Sequence, residues 1–133
     1  MDIDIIIPIY NAFDFVKKCI ETVIEHTDLT QHTLLLVNDK STDERILPLL
    51  NSFIKENQSL NIILIDNKDN QGFVRTVNIG MQYSHHDVVL LNSDTEVTRN
   101  WLSKIQNCAY SKPAVATVTP LSNNATLASV PVF

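Results

Sequence analysis

Short runs of branched apolar residues punctuate the chain at 3–9 (IDIIIPI), 34–37 (LLLV), 62–65 (IILI), 88–91 (VVLL) and 115–118 (VATV). A strand with one wet face alternates apolar and polar residues, whereas these runs are largely continuous, so both of their faces must be covered. Between them lie stripes at helical spacing: Val16, Ile20, Val23 and Ile24, then Ile46, Leu50, Phe53 and Ile54. Strand and helix therefore alternate. The pattern predicts five strands in a mostly parallel sheet with helices on both faces, a Rossmann-like three-layer α/β/α sandwich.

Two further helices are expected, over 71–83 with Phe73, Val74, Val77 and Met81 as its apolar residues, and over 99–110 with Trp101, Leu102 and Ile105. Asn11 followed by Asp14, and Ser41 followed by Glu44, place a capping residue and an acid at the starts of the first two helices. Pro48 should kink the second helix or delay its regular part. Gly80, inside a helix where it costs roughly 1 kcal/mol against alanine, points to close helix–sheet packing.

The 133 residues suit one compact domain. A net charge of −5 with no basic stripe gives nucleic-acid binding little electrostatic support. Apolar runs of four residues fall far short of the roughly 20 that cross a bilayer. The N-terminus has no basic n-region, so export is not expected, and the location expected is the cytoplasm or the cytoplasmic face of a membrane. Cys19 and Cys108 lack CxxC spacing and read as buried, reduced thiols.

Open α/β sheets bind ligands beyond the carboxyl ends of their strands. That rule selects the loops 8–11, 38–41, 66–72 and 92–96. The segment Asn92-Ser93-Asp94-Thr95-Glu96 follows the run 88–91 directly, and Asp94 there suits a hard divalent cation that completes its shell with phosphates and water. Asp39, at the end of the second run, can accept a base N–H; its alternative, shared with Asp43, is an Asx turn and helix cap. Tyr10 can stack on a base or stand as an edge aromatic. Arg75 can reach a diphosphate or remain solvated surface. The chain has only two glycines and neither GxGxxG nor GxxxxGK[ST], so dinucleotide and P-loop cradles are poorly supported.

Taken together, IIIPIYN, LLVNDKSTD, NQGFVRTVNIGM, VVLLNSDTEV and TPLSNNA, in this order, resemble the family 2 glycosyltransferases of the GT-A fold. The resemblance implies an inverting transfer from a nucleotide-diphospho-sugar, such as a UDP-sugar, to an acceptor hydroxyl, with Mn²⁺ or Mg²⁺ as cofactor. It places Pro8, Tyr10 and Asn11 on the nucleotide, Asp39 on the base, Asn92 on the donor sugar or ribose, and Asp94 on the metal; Gly72 and Ser93, from the same loops, and Arg75, near the expected arginine position on the same helix, complete the expected donor-binding set. Asn92 stands where the family has a first acid, Lys40 where it commonly has glycine, and Val77 where many members have arginine. The resemblance also implies a catalytic base later in the chain than Phe133, so residues 1–133 are expected to be the donor-binding half of a GT-A domain. The alternatives are a non-catalytic nucleotide- or protein-binding module derived from such a domain, and a receiver-type phosphorylation switch. The latter lacks an acidic pair after its first strand.

Overall fold

A computed structural model describes residues 2–120. The chain divides after Thr98 into two compact units. The first holds β1 (Ile3–Ile9), α1 (Phe13–His26), β2 (Thr33–Asn38), α2 (Ile46–Glu56), β3 (Ile62–Asp66), α3 (Phe73–Tyr83) and β4 (Asp87–Leu90). In the second, α4 (Trp101–Ala109) is the one regular element among the described residues.

The four strands form a parallel sheet in the order β3-β2-β1-β4. Ile6 pairs with Leu35 of β2 and Leu90 of β4, and Leu35 in turn with Ile63 of β3. Right-handed crossovers carry α1 and α2 across one face as the chain steps outward from β1 to β3. The connection from β3 to β4 runs the other way, which puts α3 on the opposite face. All seven residues of β1 are buried, and each large apolar side chain withdrawn from water contributes roughly 1.5–3 kcal/mol.

Alternation along the strands sends Ile6, Leu35 and Val37 to the α3 face, where Ile63, Ile65, Ile79 and Val88 pack against them. Gly80 permits this approach: a Cβ there would stand 2.7 Å from Ile6 Cγ2 and 3.3 Å from Val37 Cγ2. The close-packing expectation for Gly80 is met, but of the apolar residues named for α3 only Val77 faces the core. The buried residues are Thr76, Val77 and Gly80, while Phe73, Val74 and Met81 are exposed. Small residues face the sheet because the helix lies close to it.

Several local expectations are corrected. Residues 115–118 form no strand, and Val115 is exposed; in the second unit no strand among the described residues offers them a ladder partner. Asn11 does not cap α1. Asn11 and Ala12 both take left-handed backbone (φ 57° each), and the Asn11 side chain reaches across to the loop after β2. Nor does Ser41 cap α2, since its hydroxyl donates to Asn38 Oδ1. The regular part of α2 starts at Ile46, which leaves Pro48 in the first turn, where no intrahelical N–H bond is lost. Cys19 is buried as expected, but Cys108 is exposed. Of the segment 119–125, residues 121–125 lie outside the described residues. No helix among the described residues is long and apolar enough to cross a membrane.

Candidate nucleotide-binding site

The loops that follow β1, β2, β3 and β4 emerge at one end of the sheet, and the ladder continues into them. Asp39 N–H donates to Ile9 O at 2.8 Å, Asn67 N–H to Asn38 O at 2.9 Å, and Leu91 N–H to Ile6 O at 2.9 Å. Asn38 is in register with Asp66, so Asp39 and Asn67 fall side by side one residue further on, both on the α3 face.

Asp39 is 3% exposed and gathers the next loop around itself. Its Oδ1 accepts Gln71 N–H at 2.7 Å and Asn67 Nδ2 at 3.0 Å, and its Oδ2 accepts Gly72 N–H at 2.8 Å. Asn67 Nδ2 also reaches the Thr76 hydroxyl at 3.3 Å, and Asn70 Nδ2 donates to the Asp39 carbonyl at 3.1 Å. Burial pushes the Asp39 carboxyl up, but the bonds from Gln71, Asn67, Thr76 and Gly72 outweigh it and hold the group below its ordinary value. A carboxylate has about four lone-pair sites; the three N–H bonds from Gln71, Asn67 and Gly72 leave about one, open to the Thr76 hydroxyl or to a ligand donor in its place. Asp43, by contrast, takes the expected local role: its carboxylate accepts Arg45 N–H at 3.0 Å and pairs with the Arg45 guanidinium at 2.7 Å.

Lys40, immediately after Asp39, has φ 56°. Left-handed backbone costs an L-residue roughly 1–2 kcal/mol and glycine almost nothing, so this is a position that suits glycine better than lysine. Gly72 also lies in this region, with φ 80°, at the entry to α3.

On the other sheet face Asn38 ties the loops together. It donates to Asp66 Oδ1 at 2.7 Å and accepts the Ser41 hydroxyl at 2.7 Å, and Ser41 Oγ accepts Asn11 N–H at 2.9 Å. The Asn11 side chain donates to Thr42 Oγ1 at 3.0 Å and accepts Asp43 N–H at 2.8 Å. Asn11 is thus a strut between two loops, not a free ligand donor.

These loops enclose a cleft of about 290 Å³ lined by Pro8, Ile9, Tyr10, Asp39, Asn70, Gly72, Phe73 and Thr76. Tyr10 and Phe73 are both more than half of the way to full exposure or at it (50% and 57%), so the cleft has aromatic surface with a buried carboxylate beside it. Four expected residues, Pro8, Tyr10, Asp39 and Gly72, meet here. Arg75 does not join them: it is exposed on α3 and absent from the lining.

Asp94 lies outside this lining, on the turn after β4, with Thr95 N–H bonded to Asn92 O at 3.1 Å. Asn92 and Asp94 are exposed and Ser93 is half-buried. β4 and β2 flank β1, so the strands that lead into Asp39 and toward the Asp94 turn run two strand spacings apart, roughly 10 Å. β1 and β4 form the topological switch point, where the chain turns from one side of β1 to the other. Among the described residues no group of three His, Cys, Asp or Glu side chains is placed to hold a metal. An exposed lone carboxylate fits a hard divalent ion only when phosphate and water supply the remaining oxygens.

Asn38, Asn67, Asn70, Phe73 and Thr76 were not singled out from the sequence. Asn67 and Asn70 fall in the loop chosen by strand order, and Asn38 opens the loop 38–41. Phe73 and Thr76 were masked by the helical pattern, which counted Phe73 as one apolar helix residue among four and gave Thr76 no role.

The sequence profile described as Glycosyl transferase family 2 matches residues 4–128. The chain belongs to this family. It is 31% identical over 104 residues to polypeptide N-acetylgalactosaminyltransferase 11 of Xenopus tropicalis, covering 76% of this chain and 17% of that protein. It is 33% identical over 73 residues to poly(ribitol-phosphate) beta-glucosyltransferase of Bacillus spizizenii, covering 54% of this chain and 11% of the relative. The family 2 chain thus spans under a fifth of these relatives. Among solved structures, mannosyltransferase PcManGT from Pyrobaculum calidifontis in complex with GDP-Man and Mn²⁺ superposes with a TM-score of 0.76 at 17% identity, over 84% of this chain and 32% of that one. GalNAc-T7 with UDP, GalNAc and Mn²⁺ gives 0.67 at 22% identity, over 78% and 20%. At such identities the likeness establishes the Rossmann-like GT-A fold.

Proposed function

We propose that this chain binds the nucleotide-diphospho-sugar donor of a glycosyltransferase that passes the sugar to an acceptor hydroxyl with inversion. The observation that carries the reading is the cleft at the carboxyl ends of the strands, with Tyr10, Asp39 and Gly72 in its wall and the Asp94 turn across β1 at the switch point. The base lies against Tyr10, and a single base N–H takes the remaining acceptor site of Asp39. The diphosphate runs toward the end of β4.

Asp94 would hold Mn²⁺ or Mg²⁺, with Ser93 and Asn92 alongside; when bound, the ion supplies positive charge to the departing diphosphate. The chain's own residues bind and orient the donor. Asp39, the one carboxylate in the cleft lining, is engaged by its own loops and is no candidate to take the acceptor's proton. We place that base outside the described residues, and Arg75 outside the donor contacts.

The internal satisfaction of Asp39 also suits a second reading, a non-catalytic module whose acid only fixes the fold. Calorimetry with UDP and GDP, with and without Mn²⁺, separates the two. Donor binding predicts nucleotide affinity that Mn²⁺ strengthens and that loses its metal-dependent part in Asp94→Ala. No binding of either nucleotide refutes the proposal and favours the module.

A further inference from the structure

The turn that carries Asp94 is presented by its two buried ends. Leu91 is 7% and Val97 6% exposed, while Asn92, Asp94 and Glu96 between them are exposed. Such a loop holds its shape only if its backbone groups find fixed partners, and here α1 supplies them. Cys19, with no exposed surface, lies under the turn: its thiol meets Asn92 O at 3.6 Å, the same carbonyl that accepts Thr95 N–H.

One helical turn further along α1, Thr22 secures the other end. Its hydroxyl donates to Cys19 O at 3.0 Å and accepts Val97 N–H at 3.1 Å, both in the buried interior. The hydroxyl is therefore satisfied as donor and as acceptor, and its rotor is fixed. Asp94 stands between these two anchor points, at the third position of the turn 92–95.

Resting on the donor-site reading, we infer that Cys19 and Thr22 are positioning residues for Asp94, setting where its carboxylate meets a divalent cation without touching nucleotide or metal themselves. Partners that orient a metal ligand are typically worth 10–100-fold in metal affinity. A fixed turn matters most where one carboxylate is the whole protein contribution, because no second ligand corrects its aim. Cys19 supports the turn by filling the space beneath it as well as by the contact of its thiol with Asn92 O.

The test is Mn²⁺ uptake at saturating UDP, read from loss of the free Mn²⁺ electron paramagnetic resonance signal, together with metal-free UDP affinity by calorimetry. Thr22→Val keeps the volume and removes the acceptor for Val97 N–H. It should weaken Mn²⁺ roughly tenfold while metal-free UDP affinity stays unchanged. Thr22→Ser, which restores the hydroxyl, should return to within about twofold of the parent. Cys19→Ala serves as the second variant and should weaken Mn²⁺ in the same direction. Unchanged Mn²⁺ affinity in a folded Thr22→Val protein overturns the inference, as does an equal loss of metal-free UDP binding, which would mark general loosening. If neither variant folds, amide exchange on the parent decides: slow exchange at Val97 supports the brace and exchange at the unprotected rate overturns it. A parent that binds UDP but takes up no Mn²⁺ refutes the inference alone, whereas a parent that binds no nucleotide refutes the donor-site reading beneath it.

Discussion

Replacing Asp39 should cost stability before it affects any ligand, because the carboxylate is the common acceptor for three N–H donors, from Asn67, Gln71 and Gly72. In Asp39→Asn one carbonyl oxygen can keep the Gln71 and Asn67 bonds, but an amide nitrogen then faces Gly72 N–H and two donors oppose each other. The loss is one charge-assisted bond, or about 2–3 kcal/mol. Asp39→Ala strands all three donors; water reaches the half-buried Gln71 and Gly72 amides, so the cost is about 3–4 kcal/mol rather than the sum of three full penalties. Against a domain stability of about 5–15 kcal/mol, both variants should still fold.

The pH dependence has a definite sign. Because the folded protein holds Asp39 below its ordinary value, the stability it confers is fully present above the unfolded value near 4 and is lost as pH falls through the folded one. Urea unfolding of the parent and Asp39→Asn at pH 7 and near pH 3 provides the assay. The difference should be about 2–3 kcal/mol at pH 7 and should shrink at low pH. A difference below about 1 kcal/mol at pH 7, or one that does not narrow in acid, would refute the claim that this carboxylate organises the loop.

Gly80→Ala should destabilise by about 1–3 kcal/mol in urea unfolding, against helix propensity, because the new methyl would lie 2.7 Å from Ile6 Cγ2; a gain in stability would mean α3 sits further from the sheet. Lys40→Gly should stabilise by about 0.5–1 kcal/mol by relieving φ 56°, whereas Lys40→Ala should not, as parallel thermal melts would show. His32 is buried with Nδ1 accepting Ile3 N–H at 3.2 Å; burial lowers its proton affinity against the opposing pull of Asp28 and Asp2. Its contribution is present above pH about 6.5 and lost as pH falls toward the folded value, so the parent should lose more Tm than His32→Gln between pH 7.5 and 5.

Four of the five strand positions, and the gathering of the loops that follow them, were legible because they follow from periodicity and topology. Continuous apolar runs specify a covered parallel sheet, and a parallel sheet gathers its C-terminal loops at one end, which brought Pro8, Tyr10, Asp39 and Gly72 together. Strand order was not legible, since right-handed crossovers fit more than one order, and without it the placement of Asp94 beyond β1 could not be derived. The buried face of α3 was not legible because Thr76 and Gly80 count as weak core residues in a hydrophobic pattern, although the missing side chain of Gly80 is what lets the helix reach Ile6 and Val37. Asn11 and Ser41 looked like helix caps because their spacing to Asp14 and Glu44 suits one. Partners across the loops took both side chains, and no local spacing encodes a contact about 30 residues away.

The central claim is that the cleft by Asp39 and the turn at Asp94 form one donor site. Crystals soaked with UDP and Mn²⁺ test it directly. The uracil ring should lie against Tyr10 with a ring N–H on Asp39, the diphosphate should extend across the end of β1, and manganese should stand within bonding distance of Asp94. Nucleotide bound elsewhere, or in the cleft with its phosphates directed away from Asp94 and no metal beside that carboxylate, would contradict it.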